Sequence, residues 1–366
     1  NANRLINNDL IVTYEKSWND FTFKSIAGHN LQQDEWSSNT VLASGLIVED
    51  LYNYANAEQT SSTNYFQRKR LTGIYFDLGI GYKSIAFLNV TGRNDWSSTL
   101  PANQRSYFYP SVSGSFVFSE LLPDQHVLDF GKLRINYANV GSDTDPYQLK
   151  YQYTPASKYS TLYTDQVFPH NGLIGFYGPM TLPLENLKPQ NQRAFEIGAE
   201  LMFFSSRIHI DATYYKNVTT NQIVAVSVPM STGYTGNRIN AGKLTNKGLE
   251  IALGITPLKF KNFEWNVDVN FAKNKQVVNE ITNDLTSYNL TASLDNILVG
   301  AEVGKSFGIY GATWSRDEAG NYIINKATGL RETSSGRLGD IYPDFTMGIS
   351  NHFNYKGFDL SFLIDV

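Results

Sequence analysis

Residues 263–271, Phe-Glu-Trp-Asn-Val-Asp-Val-Asn-Phe, alternate apolar and polar side chains without interruption. Successive side chains of a β-strand point to opposite faces, so this segment has one apolar face and one polar face. Residues 345–350 and 358–362 show the same alternation. The pattern predicts an antiparallel sheet in which one face contacts apolar material and the other contacts water.

The same reading along the chain predicts twelve strands, and the connectors between them are alternately short and long. The strands are expected near residues 9–17, 21–36, 69–81, 84–95, 106–119, 131–141, 192–204, 207–218, 245–257, 263–275, 345–355 and 358–366. The short connectors are 17–20, 82–83, 120–130, 205–206, 258–262 and 356–357, and the others are 37–68, 96–105, 142–191, 219–244 and 276–344. Odd and even connectors of an up-and-down barrel lie at opposite rims. The asymmetry therefore predicts a transmembrane antiparallel β-barrel with short periplasmic turns and long extracellular loops.

The segment 276–344 contains two further strand-like stretches, at 307–311 and 322–324. The strand before this segment leaves the rim with the short turns, and the strand after it returns there. An even number of barrel strands, zero or two, must therefore lie between them. We favour zero, with a structured outer loop.

Composition agrees with a barrel. Only 17% of the 366 residues are charged, whereas 14% are aromatic, and the net charge is −4 with Lys and Arg scattered. No apolar run approaches the length of about 20 residues that a spanning helix needs. Nothing in this charge distribution indicates nucleic-acid binding. The chain has no cysteine, which suits an oxidising envelope compartment.

Aromatic residues cluster beside the short turns. Examples are Trp18, Phe21 and Phe23, Tyr82, Phe116 and Phe118, Phe203 and Phe204, Phe260, Phe263 and Trp265, and Phe353, Tyr355 and Phe358. Aromatic rings are enriched where hydrocarbon meets headgroups, so such clusters are typical of barrel girdles. The alternative is that they form the core of a soluble β protein, since aromatic residues favour strands in general.

Alternation also assigns acidic residues to the polar face. A charge in the middle of the bilayer costs a few kcal/mol, so these side chains should line the lumen. The predicted lumen-facing polar residues are Asp77, Glu196, Glu200, Glu250 and Asp268.

Sequence motifs for catalysis or metal binding are weak. The five histidines are dispersed, and no nucleophile–base motif occurs, so we expect no enzyme and no resident cofactor. Residues 143–145 and 317–321 are acidic loop segments that could bind Ca²⁺, although such sequences are more often simple turns.

Aromatic residues in or beside the outer connectors are the candidate substrate-binding groups. Flat rings with amide and hydroxyl neighbours suit sugars or peptides, but the same rings could pack the loops together or form the upper girdle. The candidates are Trp36, Trp96, Tyr159, Tyr163, Tyr177 and Trp314.

The two ends of the chain suggest a piece of a longer precursor. The first residues have neither the charged start nor the apolar core of a signal peptide, and residues 361–366 stop in mid-strand. We therefore expect residues 1–366 to form part of one barrel domain.

Four segments resemble the SusC/RagA family of TonB-linked outer-membrane transporters of Bacteroidetes. They are Gly-Arg-Asn-Asp-Trp-Ser-Ser-Thr-Leu-Pro at 92–101 with 106–113, Leu-Glu-Asn-Leu-Lys-Pro at 184–189 with 195–198, Asn-Ala-Gly-Lys-Leu-Thr-Asn-Lys-Gly-Leu-Glu at 240–250, and Tyr-Pro-Asp-Phe-Thr-Met-Gly at 342–348 with 355–360. Together these segments span most of residues 70–366 in the order in which the family has them.

The resemblance implies a 22-stranded barrel, an N-terminal plug and a lid formed by a SusD-like lipoprotein. It also implies uptake of oligosaccharides or peptides in the bacterial outer membrane, energised by TonB. This chain shows about twelve strands, and it contains neither the plug nor the TonB box. Three rival interpretations stay open at this point: a structural or adhesive barrel, a soluble carbohydrate-binding β protein, and an outer-membrane hydrolase.

Overall fold

The computed structural model describes residues 1–123, 127–156, 158–160, 165–282, 285–290 and 297–366, and for residues 158–160, 165 and 227 it describes only the backbone. Regular structure in these residues is almost entirely β-strand, with three short 3₁₀ turns at Tyr54–Asn56, Phe118–Leu121 and Met230–Thr232. Within the described ranges, no helix has the length and apolar character needed to cross a membrane.

The described residues form 21 strands. Their bounds are β1 Ala2–Trp18, β2 Phe21–Leu46, β3 Ala57–Tyr82, β4 Ala86–Ser97, β5 Ser106–Val117, β6 Leu128–Ser142, β7 Thr154–Ala156, β8 Lys158–Ser160, β9 Asp165–Val167, β10 Gly175–Tyr177, β11 Thr181–Leu182, β12 Gln190–Phe203, β13 Ile208–Ser227, β14 Gly236–Phe260, β15 Phe263–Glu280, β16 Ser287–Asn289, β17 Leu298–Glu302, β18 Gly308–Trp314, β19 Thr333–Asp340, β20 Thr346–Tyr355 and β21 Phe358–Asp365.

One large sheet organises the chain. Its order is β1-β2-β3-β4-β5-β6-β12-β13-β14-β15-β20-β21, with every neighbouring pair antiparallel and β11 added in parallel to β14. This confirms the all-β fold class and the twelve predicted strands. Among the described residues between β15 and β20, none forms a strand of this sheet, as predicted. The sheet is open, because β1 and β21 each have a single neighbour.

Two of the predicted long connectors are much shorter than expected. The β2–β3 hairpin continues to the pair Leu46 and Ala57, and the β13–β14 hairpin continues to Ser227 and Gly236. The connectors that remain are therefore 47–56 and 228–235, instead of 37–68 and 219–244. The prediction failed because these extensions do not alternate cleanly. Backbone pairing in a hairpin needs no apolar face once both faces meet water.

The other two long connectors carry structure of their own. Residues 143–189 contain the short strands β7–β11, with β7 paired to β10 and β8 paired to β9. Residues between β15 and β20 contain a separate four-stranded sheet, β16-β17-β18-β19. A small buried cluster joins this sheet to β14 and β15; it consists of Leu244, Val278, Ile281 and Ala301, with Tyr288 and Phe307 packed against it.

Among the residues that the structure describes, no apolar core lies beneath the large sheet. Its apolar face is open, as shown by Ile135 and Ile197, which are 50% and 48% exposed at the middle of their strands. Further large exposed side chains on this face are Ile74, Leu78, Leu88, Val112, Leu133 and Leu249. An apolar surface of this extent on a folded chain marks an interaction surface, and a row of strands exposing it is what a bilayer covers.

The aromatic residues predicted for a girdle lie at the short-turn end of the same face. Phe21 contacts Tyr82 with a centroid separation of 4.9 Å, and Trp265 stacks on Phe353 at 5.4 Å. The indole of Trp265 donates a hydrogen bond to Asn351 Oδ1 over 3.3 Å. An apolar ring with a satisfied polar edge is the arrangement that a membrane–water boundary favours.

Candidate functional site

The polar face of the large sheet is the opposite side of the same strands. Cross-strand register assigns to it all five acidic residues predicted from the sequence, Asp77, Glu196, Glu200, Glu250 and Asp268. Two cavities, of about 650 and 780 Å³, lie against this face. The first is lined by Lys24, Asn89, Lys132 and Glu196, and the second by Asp211, Glu250 and Asn270. The polar face is thus the concave face.

Several charges on this face are paired across strands. Arg134 on β6 donates from Nη1 to Asp211 Oδ2 on β13 over 2.9 Å, and its Nη2 donates to Asp211 Oδ1 and to Thr213. Glu200 on β12 lies 3.5 Å from Lys132 Nζ and 3.7 Å from His209 Nε2. Paired charges keep a wall polar without leaving an isolated ion beside the bilayer. Strand alternation predicted the position of Glu200, but it revealed neither the basic partners of Glu200 nor the Arg134–Asp211 pair.

The 92–101 motif forms a second polar cluster at the end of the sheet that carries the long connectors. Asp95 is almost fully buried; it accepts a hydrogen bond from Arg93 Nε over 2.7 Å and another from the Tyr109 hydroxyl. The adjacent Gly73 makes this possible, since a Cβ there would lie 2.0 Å from Asp95 Oδ1. The motif therefore builds structure at the rim, a role that its sequence alone did not reveal.

The same cluster fixes the start of the 143–189 connector. Asp143, directly after β6, accepts hydrogen bonds from Lys69 Nζ over 2.6 Å, from Ser97 and from Thr99. Ser97 and Thr99 are buried and also bond to each other over 2.9 Å. The connector thus leaves the wall from a fixed point.

The candidate aromatic residues do not converge on one place. Trp36 makes an edge contact with Tyr65 at 5.1 Å, and Trp314 lies 5.8 Å from the Arg331 guanidinium. Trp96 shares the register side of Leu88, which is the apolar face, and Tyr177 lies on β10. No two of these four rings contact each other. The side chain of Tyr159 and the whole of Tyr163 lie outside the described residues. Substrate binding by these residues stays a prediction.

The four-stranded loop sheet has its own polar cluster. Arg337 on β19 bonds Asp340, and its guanidinium also donates to the Tyr310 hydroxyl over 3.2 Å. Hydrogen bonds from Ser306 and Arg337 lower the pKa of Asp340, and those from Lys305 and Tyr310 lower the pKa of Glu302. These contacts hold β17, β18 and β19 together.

The acidic loop segments show no metal-binding arrangement. Asp317 accepts hydrogen bonds from both amide groups of Asn321, at 2.8 and 3.1 Å, and so closes a turn. Asp143 is occupied by the partners described above. No group of three or more His, Cys, Asp or Glu side chains in the described ranges could hold a metal ion. Calcium binding stays an untested prediction.

An antiparallel sheet with an exposed apolar outer face and a charge-paired inner face is the wall of a membrane β-barrel. Residues 2–360 match the family described as TonB dependent receptor-like, beta-barrel, and the chain therefore belongs to that family. Its large sheet is accordingly part of a β-barrel of the outer membrane, and the resemblance predicted from the four motifs is confirmed.

Individual relatives are similar at a moderate level. The TonB-dependent receptor P26 of Formosa agariphila is 26% identical over 336 residues, which cover 85% of this chain and 33% of that protein. SusC of Bacteroides thetaiotaomicron is 25% identical over 335 residues, which cover 84% of this chain and 32% of that protein. The chain thus spans about a third of the length of these relatives.

The solved structure of the RagAB peptide transporter has a similar fold. The two superpose with a TM-score of 0.79 at 18% sequence identity, over 99% of this chain and 41% of that one. The relatives are named as receptors and transporters.

Proposed function

We propose that this chain forms part of the wall of a TonB-linked nutrient importer of the SusC/RagA type. The observation that carries the proposal is the separation of faces: the same strands present an exposed apolar surface on one side and paired charges on the other. Such a wall encloses a polar passage through lipid. The family membership and the names of the relatives support transport rather than catalysis.

The passage is lined by the polar face, which carries the paired Arg134 and the acidic side chains of Glu196 and Glu250. Twelve strands leave two open edges, and unpaired backbone groups in lipid cost several kcal/mol each. In the working protein these edges pair with further strands, which agrees with the greater length of the relatives. A plug then fills the lumen, and TonB provides the energy that rearranges it.

The substrates are oligosaccharides or peptides, and a SusD-like lipoprotein closes the outer rim. The connectors with internal strands, 143–189 and 281–345, are the surfaces that such a lid and substrate meet. Their anchoring at Asp143 and at the Leu244 cluster gives them fixed starting points on the wall.

Deletion of residues 145–180 from the full-length protein tests this proposal. The deletion leaves Asp143 and β11 in place, so the barrel should still assemble and be heat-modifiable on gels. Uptake of the substrate by whole cells and co-purification of the lipoprotein should both decrease at least tenfold, a change of about 1.4 kcal/mol.

The control is a deletion within the short 228–235 connector, which should change uptake little. Wild-type uptake and lid binding after the 145–180 deletion would contradict the proposal. If the deletion variant still binds the lipoprotein but takes up no substrate, the connector contacts the substrate and is not needed for docking of the lid.

A further inference from the structure

The outward face of β13, β14 and β15 changes abruptly from apolar to cationic. The apolar positions on this face are Ile208, Ile210 and Tyr214 on β13, Leu249, Ile251, Leu253 and Ile255 on β14, and Val267, Val269 and Phe271 on β15. Toward the long-connector end, the next outward residues are Lys216, Lys247 and Lys273, followed by Lys275. On three neighbouring strands, the outward side chains therefore change from apolar to lysine at the same level of the wall.

These lysines face one another in register. Lys216 is the direct partner of Lys247, and Lys247 is the direct partner of Lys275. Directly opposite side chains have Cβ atoms about 5 Å apart, and like charges in this arrangement destabilise a sheet. The arrangement is unfavourable unless an anion lies among the three groups.

The described part of this chain does not supply that anion. Across the described part of the chain, no carboxylate pairs with Lys216, Lys247, Lys273 or Lys275. The acidic residues of the same stretches, Asp211, Glu250 and Asp268, lie on the concave face.

Two cations on the outward face of β3 do have protein partners. Arg68 on β3 pairs with Glu35 at 2.7 Å, and Arg70 donates to Gln33 over 2.6 Å. We call Lys216, Lys247, Lys273 and Lys275 the lysine row; within the described residues, none of the four forms an ion pair or a side-chain hydrogen bond with the chain.

A cavity adjoins one end of the lysine row. It has a volume of about 460 Å³ and is lined by Lys273, Lys275, Lys305 and Arg337 on its basic side and by Asp340 and Asp344 on its acidic side. Lys305 and Arg337 are already paired, with Glu302 and Asp340. Space for a sugar-sized group therefore lies beside the two unpaired ammonium groups of β15.

We propose that the lysine row binds the phosphate of a phosphorylated glycolipid in the outer leaflet of the membrane. The row lies immediately above the apolar band, on the side of the long connectors, which is the outer side of a barrel. Lysine stems extend along apolar surface while their ammonium groups reach the headgroup level. The acyl chains contact the Leu249 and Phe271 surface, the phosphate bridges the lysines, and the sugar occupies the cavity. The proposal depends only on the membrane orientation of the wall, not on import.

The test measures binding of purified lipid A to the full-length protein in detergent by native mass spectrometry. Each ammonium group near an anionic lipid surface contributes about fivefold in affinity, so Lys216→Gln/Lys247→Gln/Lys275→Gln should bind about a hundredfold more weakly than wild type. Lys259→Gln, which removes a lysine that pairs with Glu264 at the short-turn end of β14, is the control and should bind as wild type does. Lipid A without its phosphates should bind wild type as weakly as phosphorylated lipid A binds the triple variant.

A second readout separates lipid binding from a structural role. In lipid-free detergent the triple variant should unfold at the same temperature as wild type or above it, because the substitutions remove repulsion. A lower unfolding temperature there would contradict the proposal. If the triple variant does not assemble, Lys247→Gln alone should bind about fivefold more weakly. Equal binding of phosphorylated and dephosphorylated lipid, or complete displacement of lipid A by inorganic phosphate, would overturn it.

Discussion

Arg134 reaches across β12 to Asp211 because Gly198, which lies between them, has no side chain. A Cβ at Gly198 would lie 2.6 Å from the Arg134 Nε atom. The bidentate geometry is specific to a guanidinium and a carboxylate, and both groups are about a third exposed. Solvent therefore screens the pair. Its contribution to the free energy of unfolding should lie between that of a surface salt bridge and that of a buried one.

A double-mutant cycle measures the contribution of the Arg134–Asp211 pair to stability. Arg134→Gln and Asp211→Asn should each lower the free energy of unfolding, with a coupling energy of about 1 kcal/mol. The measurement is urea-induced unfolding of the full-length barrel in lipid vesicles. Lys24→Gln and Glu15→Gln, which break a more exposed pair on the same face, form the control cycle and should show less coupling. Additive effects of Arg134→Gln and Asp211→Asn would show that the pair contributes nothing.

Gly73 is the position at which the rim cluster is most sensitive to a single methyl group. An added Cβ meets both Asp95 and Arg93, and Asp95 has no free space because it is buried between Arg93 and Tyr109. Gly73→Ala should destabilise the barrel by about 1–3 kcal/mol, the usual cost of overpacking. It should also make the 143–189 connector more susceptible to protease.

Gly114→Ala is the matched control, because a Cβ there has no neighbour nearer than 3.7 Å. It should leave both stability and protease resistance nearly unchanged. If the two variants behave alike, the rim cluster is not what fixes the connector.

At the level of elements, the stability of the four-stranded loop sheet should decrease as the pH is lowered. Asp340 and Glu302 have pKa values below their ordinary values of 3.8 and 4.5, because their ionised forms accept hydrogen bonds. A lowered pKa in the folded state stabilises the fold above the unfolded pKa, and this stabilisation is lost as pH falls through the folded value.

We therefore expect β17–β19 to be equally protected from hydrogen exchange at neutral pH and at pH 5, and to lose protection below about pH 4. Asp340→Asn should reduce protection at neutral pH and weaken the dependence on pH. Protection that decreases already between pH 7 and pH 5 would contradict this account and would require a different titrating group.

The elements also show what the sequence could predict. The alternation in 263–271 located β15 well, because a strand with one apolar and one polar face must alternate. It did not reveal that β2 and β3 extend to Leu46 and Ala57, because a hairpin in water carries no such constraint. Nor did it reveal that Arg134 pairs with Asp211, which are 77 residues apart and adjacent only through the strand order.

At the scale of the whole molecule, the described residues place no core beneath the large sheet. The apolar face of that sheet must therefore be covered by something other than these residues. A soluble sheet of this length would cover Ile135, Ile197 and their neighbours with a second layer, whereas the described residues place the small buried cluster at the rim. Oligosaccharide or peptide import, the lid and the lipid site all require that bilayer hydrocarbon covers this face.

Site-directed spin labelling tests that requirement most directly, and residues 1–366 contain no cysteine. Cysteines introduced at Val267 and Ile349, on the apolar face of β15 and β20, carry the label in the full-length protein in lipid vesicles. Thr232, in an outer connector, carries the reference label. The account predicts that oxygen relaxes the labels at 267 and 349 strongly while a water-soluble nickel complex does not, with the reverse at 232. Strong relaxation by the nickel complex at all three positions would contradict it.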